Sequence, residues 1–538
     1  METTRVDAIS NKGIFSTMGS RAARRWFVTA LLSAAPIVRL AGQCPDGSPP
    51  PCRSMSTPSQ IQIVERVPSL SVLYLANLSQ DTTDAALADG ITEELIARLS
   101  QIDGLRVTSL YAALRYRGRG AIDPKTVGRE LGVRYVLHGT LRRAGSRIRV
   151  AVEVTEATTG YNLWAQTYDQ GISDVFAMQD SVTIQVAAAL RGRLTGPERK
   201  RLTPPRLTNN PEAFQAYVRG RAWVRARNPR AAADAAYQFR RAIALDPAFV
   251  VAYAELARLY ALAVYFGWDI PGIMADSLET LAARTAARAL ALDSTSSDAW
   301  LAVALATRFS DRPRAIAFHR RAVALDSTNT EALHELAWAF IQYADEPDSA
   351  LVTEQHVTVL DPFYSFAYAS IAHFLNLNSR PVEALGWTAQ GAAIDSTQPA
   401  VYWAMADADL LLDRPLEAQV AARRALRLGA PEAVARSLLT EARAAGGDSM
   451  TARAQLDSTA ATMRQKFARA PNGLSLWETT YLAGAFAQMG EADSALAWLD
   501  RIRIGRRKFF RGWLVRYWAL GPLRNDPRFQ RLLEDSLP

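Results

Sequence analysis

Cysteine is nearly absent from this chain: two residues in 538, alongside five histidines. That rules out a disulfide-stapled scaffold or a zinc-cluster fold as the organising device. The two cysteines, Cys44 and Cys52, lie in CPDGSPPPC directly after an apolar run. Their spacing across a Pro/Gly turn suits one small disulfide loop in an oxidising compartment, and two thiols with no nearby histidine make a poor zinc site. His138 falls on a predicted strand, and His319, His334, His356 and His373 are scattered over predicted helices, so no metal is expected. Catalytic signatures are also missing. There is no phosphate-binding loop, only the bare Gly118-Arg119-Gly120, which reads as a turn. No Gly-x-Ser-x-Gly elbow, HExxH pair, HRD or DFG triplet occurs. Glu93-Glu94 are adjacent on a helix and point apart, so an exposed helix start accounts for them. No enzyme and no cofactor are expected. Net charge is +9, but the first 43 residues carry six basic and two acidic side chains, leaving a mild +5 that does not call for nucleic acid.

Those first 43 residues read as a signal segment. A basic cluster, Arg21 to Arg25, precedes the apolar run Trp26 to Val38 and the small residues Ala41 and Gly42. Thirteen residues with Pro36 inside are too short for a comfortable membrane span. Arg24-Arg25-Trp26-Phe27-Val28 resembles a twin-arginine export motif, and Met18 is an alternative start. The expected location is periplasmic or secreted, with inner-membrane anchoring facing the periplasm as the alternative. Residues 44–68, rich in Pro, Ser and Gln, read as a flexible tether carrying the disulfide loop.

Residues 69–194 read as a compact α+β domain. Leu70 to Leu75 and Leu105 to Leu110 form short strands around a helix on which Ile91, Leu95, Leu99 and Ile102 share one face and Glu94 and Arg98 pair on the outside. Asp123-Pro124 opens a second helix ending near Gly132. Val133 to Arg142 and Arg147 to Glu156 make a hairpin about Ala144-Gly145-Ser146, with Ile148, Val150, Val152 and Val154 on the buried face. Tyr161 to Tyr168 adds a strand, and Asp174 to Leu194 a closing helix. The order β-α-β-α-β-β-β-α implies a mixed sheet covered by helices. The stretches SVLYLANLSQ, ADGITEELIARLSQIDGLRV, GRELGVRYVLHGTLRRAGSRIRVAVEVTEATTGYNLWAQTYD and DVFAMQD resemble the bacterial domain related to the amino-terminal domain of the TolB translocation protein. Tyr74-Leu75 depart from the Pro-Phe usual there, which weakens any inference about a shared surface at that point. The resemblance implies tetratricopeptide repeats alongside, often with a kinase, nucleotide cyclase or winged-helix regulator. The sixty residues ahead of the module are too few for such a domain, so none is expected.

After a charged, proline-containing linker at 195–210, a junction recurs: Ala244-Leu245-Asp246, Ala291-Leu292-Asp293, Ala324-Leu325-Asp326, Val359-Leu360-Asp361 and Ala393-Ile394-Asp395. Successive aspartates are 47, 33, 35 and 34 residues apart, with an insertion near Gly267 to Gly272 accounting for the long step. Eleven residues after each Asp comes Ala257, Ala304, Ala337, Ala372 or Ala406; eleven before comes Ala235, Ala282, Ala315, Ala350 or Ala384. A period near 34 with small residues at fixed offsets resembles the tetratricopeptide repeat (TPR), a helix–turn–helix unit that stacks into a right-handed solenoid. The expected fold is therefore an α+β amino-terminal domain followed by an all-α TPR solenoid over 211–508, with capping helices at 509–538. The cluster Arg501 to Trp518, basic groups interleaved with Phe509, Phe510, Trp513, Tyr517 and Trp518, reads as a terminal helix burying its aromatics. Repeat offsets place Asp298, Leu305, His334, Trp338, Phe366, His373, Trp403 and Asp407 on a concave groove that holds a protein or peptide partner. The expectation is an exported adaptor without enzymatic activity, or alternatively a regulatory accessory to a separately encoded kinase, cyclase or transcription regulator.

Overall fold

A computed structural model describes residues 67–79, 84–119, 122–192, 195–202, 206–225, 229–469, 475–502 and 504–534. The signal segment and the Cys44/Cys52 loop lie outside the described residues.

Ser69–Val72 (β1) is buried at all four positions because helices cover both sheet faces there. It pairs in parallel with Arg106–Val107 (β3) on one side and Tyr135–Ala144 (β4) on the other, while Ala76–Asn77 (β2) continues along β4. Arg147–Glu156 (β5) and Asn162–Gly171 (β6) follow in antiparallel register, giving the order β3-β1-β4-β5-β6. Parallel pairs need helical crossovers. Asp84–Leu99 (α1) connects β2 to β3, and Leu110–Leu114 (α2) with Pro124–Leu131 (α3) connects β3 to β4. Val175–Arg191 (α4) packs beside α1, and between them and the sheet lie Leu87, Ile91, Leu95, Val150, Val152, Val154 and Val182. A smaller cluster of Leu73, Tyr116, Val127, Val133, Val136 and Ala157 fills the opposite face.

Three expectations change here. The strand expected from Leu105 to Leu110 is confined to Arg106–Val107, and Leu110 instead opens α2, where Ser109 Oγ caps the helix by accepting from the Ala112 N–H at 3.3 Å. Arg98 is not on the outside: it is buried, holding Glu94 at 2.7 Å and Asp180 of α4, and so ties the two covering helices together. Nor does Glu93 mark an exposed helix start, since it sits buried inside α1.

Gly196–Leu202 (α5) occupies part of the expected linker. Eight helix pairs follow among the described residues: Pro211–Arg225 (α6) with Pro229–Leu245 (α7), Val250–Phe266 (α8) with Ala275–Leu292 (α9), Ser297–Thr307 (α10) with Arg312–Leu325 (α11), and Thr330–Ala339 (α12) with Pro347–Leu360 (α13). Ser365–Leu377 (α14) pairs with Pro381–Ile394 (α15), Pro399–Leu411 (α16) with Pro415–Leu428 (α17), Glu432–Ala445 (α18) with Ser449–Arg469 (α19), and Leu476–Gln488 (α20) with Ala492–Asp500 (α21). Ile504–Arg516 (α22) and Pro527–Glu534 (α23) end the chain. The long 47-residue step is shared between the loop after Gly267 and two lengthened helices, α8 and α9.

The recurring aspartate has a local cause. Each follows the second helix of a pair and accepts from a backbone N–H two residues on: Asp246 from Ala248 (3.0 Å), Asp293 from Thr295 (2.8 Å), Asp326 from Thr328 (2.9 Å), Asp361 from Phe363 (3.0 Å) and Asp395 from Thr397 (2.8 Å). This side-chain turn stops one helix and aims the next. The alanines eleven residues to either side are all buried, at 1% exposure or less, where a larger side chain would hold the helices apart. Turns within pairs repeat too. Asp345, Ser379 and Asp413 each take φ between 56° and 61° two residues before Pro347, Pro381 and Pro415. The elements and their spacing define a small mixed sheet followed by a TPR array.

Candidate partner-binding groove

First helices of successive pairs turn one face towards a common axis, seen from rings that meet across distant repeats. Tyr265 of α8 lies 5.9 Å from Trp477 of α20, edge to face. Trp338 of α12 meets Phe374 of α14 at 4.9 Å and Trp477 at 5.5 Å. Trp403 of α16 contacts His373 at 4.9 Å and Trp477 at 5.2 Å. Into this column α22 inserts Phe510 and Trp513, and Tyr517 follows directly after it. Trp513 stacks 6.0 Å from Trp338, and Tyr517 lies 4.6 Å from Tyr481. Phe510, Trp513, Leu514 and Tyr517 are all buried; their spacing is one helix face pressed into a groove.

The eight expected groove residues therefore have different surroundings. Leu305, His334, His373, Trp403 and Asp407 point inward but are buried, because the chain's own carboxyl-terminal segment and neighbouring repeats cover them. Trp338 is half-buried, donating from Nε1 to Ser370 Oγ at 3.0 Å. Phe366 is half-buried and Asp298 is exposed, accepting from Asn329 Nδ2 at 3.1 Å. The terminal segment is thus more than an end cap: α22 reaches back to the fourth pair, where Arg516 pairs with Asp345.

Burial controls the chemistry of this axis. Tyr481 donates to Asp407 Oδ2 at 2.6 Å and Trp518 Nε1 to Oδ1 at 3.2 Å, yet desolvation pushes the Asp407 carboxyl up to about 7. Desolvation pushes His373 down to about 3, so both groups are neutral between those values. Glu441, on α18, has no hydrogen-bond partner for either oxygen among the described residues, and burial raises its pKa well above the usual range. His334 Nδ1 lies 2.7 Å from Glu354 Oε1, and burial raises the Glu354 pKa.

Towards the amino-terminal repeats the axis is charged instead. Arg221 of α6 lies 3.5 Å from Glu93 and 3.9 Å from Glu255; Arg258 lies 3.0 Å from both Glu255 and Glu331. The α+β layer closes over this ladder. The Tyr111 ring of α2 lies 4.5 Å from that of Tyr364, tilted by 31°, and its hydroxyl donates to Glu331 at 3.2 Å, while Ser109 donates to Asp361 at 2.5 Å. Sequence reasoning missed Arg221, Glu255, Arg258 and Glu331. Arg258 and Glu331 stand twelve and five residues after a repeat aspartate, the same offsets that select Trp338 and Asp298.

No family model matches the chain. "Putative adenylate cyclase 3" of Rhizobium meliloti (strain 1021) is 40% identical over 190 residues, 35% of this chain and 32% of that protein. The chain thus matches about a third of that relative's length. Among solved structures, yeast Tom70 superposes with a TM-score of 0.36 at 14% identity, covering 68% of this chain and 82% of that one. PilW, a type IV pilus biogenesis factor, gives 0.34 at 15%, covering 40% and 94%. YrrB, a TPR protein with an unusual peptide-binding site, gives 0.25 at 16%, covering 37% and 95%. The fold assignment rests on the elements described above.

Proposed function

We propose that this chain is a non-enzymatic TPR adaptor that holds a protein or peptide partner against the inner face of its repeats. The observation that supports this most is that the covering segments leave inner-face positions on first helices open, Asp298 on α10 exposed and Phe366 on α14 half-buried, where a partner's side chains would seat. Within the expected set, Asp298 and Phe366 keep access to solvent and would face the partner. Leu305, His334, Trp338, His373, Trp403 and Asp407 would hold the wall in shape. A photo-crosslinking residue placed at Phe366 or Asp298 in the native host should join a protein that the same residue at Val420, on the far side of a second helix, does not. Identical products from all three positions would refute the groove.

The 190 residues shared with a protein named as a putative adenylate cyclase favour one second reading. In it, a TolB-like sensory module and its repeats regulate a separately encoded cyclase, kinase or transcription regulator. Location separates the two readings, since the adaptor reading includes export to the periplasm or beyond. Among the described residues no helix is long and apolar enough to cross a membrane.

A further inference from the structure

A cavity of about 640 Å³ lies where the α+β layer meets the first helix pair, away from the groove. One wall is Arg143 at the far end of β4, with Ile172 and Ser173 after β6. Gln215 and Arg219 rise from one face of α6 as a second wall, and Arg241 of α7 supplies the third. The lining is rich in donors. Guanidinium groups come from three separate elements. Arg143 is partly spent, lying 3.2 Å from Asp84 and donating to the Gly145 carbonyl at 2.9 Å. Arg241 has no ion-pair partner among the described residues, and the Gln215 Nε2 amide is buried with no acceptor. Asn210 contributes little: its Oδ1 accepts from the backbone of Glu212 and Ala213, and its Nδ2 donates to the Leu245 carbonyl. The opposing charge in the lining is Glu212, which is exposed. The unpaired Arg241 guanidinium and an unpartnered buried donor call for an acceptor-only ligand, and planar guanidinium forks match phosphate oxygens in pairs. The volume lies within the range of small-molecule sites.

We propose that this junction cavity binds a small phosphorylated molecule, whose phosphate bridges Arg241 and Arg219 on the repeats to Arg143 on the sheet. Occupancy would clamp the α+β layer against the first pair. The proposal is independent of the groove: its ligand is a small anion and its site shares no residue with the partner face. The test uses the full chain and inorganic pyrophosphate as probe, with ionic strength held constant by sodium chloride. Pyrophosphate should raise the melting temperature saturably. Arg241→Gln should weaken the apparent affinity about tenfold or more, the scale of a charged hydrogen bond, while leaving the probe-free melting temperature unchanged. Arg427→Gln, which removes a cation elsewhere on the repeats, should leave the affinity intact. Equal weakening by both variants, a shift that never saturates, or an equal shift with acetate would each overturn the assignment. Phe366→Ala should not alter the pyrophosphate response, so a failed groove and a failed cavity give different results.

Discussion

Asp407 and His373 sit 3.9 Å apart in the axis, and their titrations pull stability in opposite directions. A carboxyl raised in the folded state contributes stability that is fully present below its ordinary value and is lost as pH climbs to the folded value. For Asp407 that window runs from about 4 to about 7, and Glu441 adds to it in the same direction. A histidine lowered to about 3 does the reverse: stability is complete above its ordinary 6.5 and is lost as pH falls. Comparing Asp407→Asn with the parent protein isolates the carboxyl. The variant should be the more stable at pH 8, with the gap closing towards pH 5 by on the order of 2 kcal/mol, as a shift of several pKa units requires. Denaturant titrations at both pH values check this, and a gap independent of pH would contradict it. The repeat register makes a second claim at this scale. Ala337 is fully buried, so Ala337→Leu should cost about 1–3 kcal/mol by overpacking. Ala389 is exposed outside the register, and the same change there should stay within about 0.5 kcal/mol. Equal thermal shifts would count against the alignment of repeats.

Among the elements, α22 decides whether the axis is open. It crosses the end of α12 at Gly512, where an added Cβ would collide with the Ile341 carbonyl oxygen. In an exposed helix, Gly→Ala usually stabilises by about 0.5–1 kcal/mol. Here Gly512→Ala should instead loosen the carboxyl-terminal segment, seen as faster proteolysis after the basic residues of α22 and a red shift of tryptophan emission. Slower proteolysis would show that α22 does not dock as described. Trp338 tests the same contact from the other side. Its ring meets Phe374, Trp477 and Trp513 within 6.0 Å, so Trp338→Ala should cost about 3–5 kcal/mol of stability, as other buried aromatic truncations do. A small loss of stability with a selective loss of partner capture of roughly 2 kcal/mol would instead return Trp338 to the open binding wall.

For the whole molecule, the amino terminus of the mature protein tests its location. Export predicts that mature protein begins between about Ala41 and Cys44, as short signal segments imply, and that Cys44 and Cys52 resist alkylation until reduced. Protein beginning at Met1 or Met18 would favour the regulatory reading. Much of the architecture was legible beforehand: hairpin, repeat period, small positions and helix-ending aspartates all follow from contacts within one or two elements. Alternation in Ile148, Val150, Val152 and Val154 needs only a covered sheet, and the buried alanines need only a neighbouring helix. Offsets from each aspartate also single out Trp338, His373 and Trp403, whose rings meet one another across repeats. What covers that axis was decided by tertiary structure alone. Ser109 meets Asp361, Tyr481 meets Asp407 and Gly512 meets Ile341 across separations that no local pattern encodes. Glu93, Arg98 and Trp403 look on a helical wheel like surface or groove residues, and only the arrival of distant helices buries them. Periodicity specifies the direction of a side chain; its solvent exposure depends on which remote segment fills the space it faces.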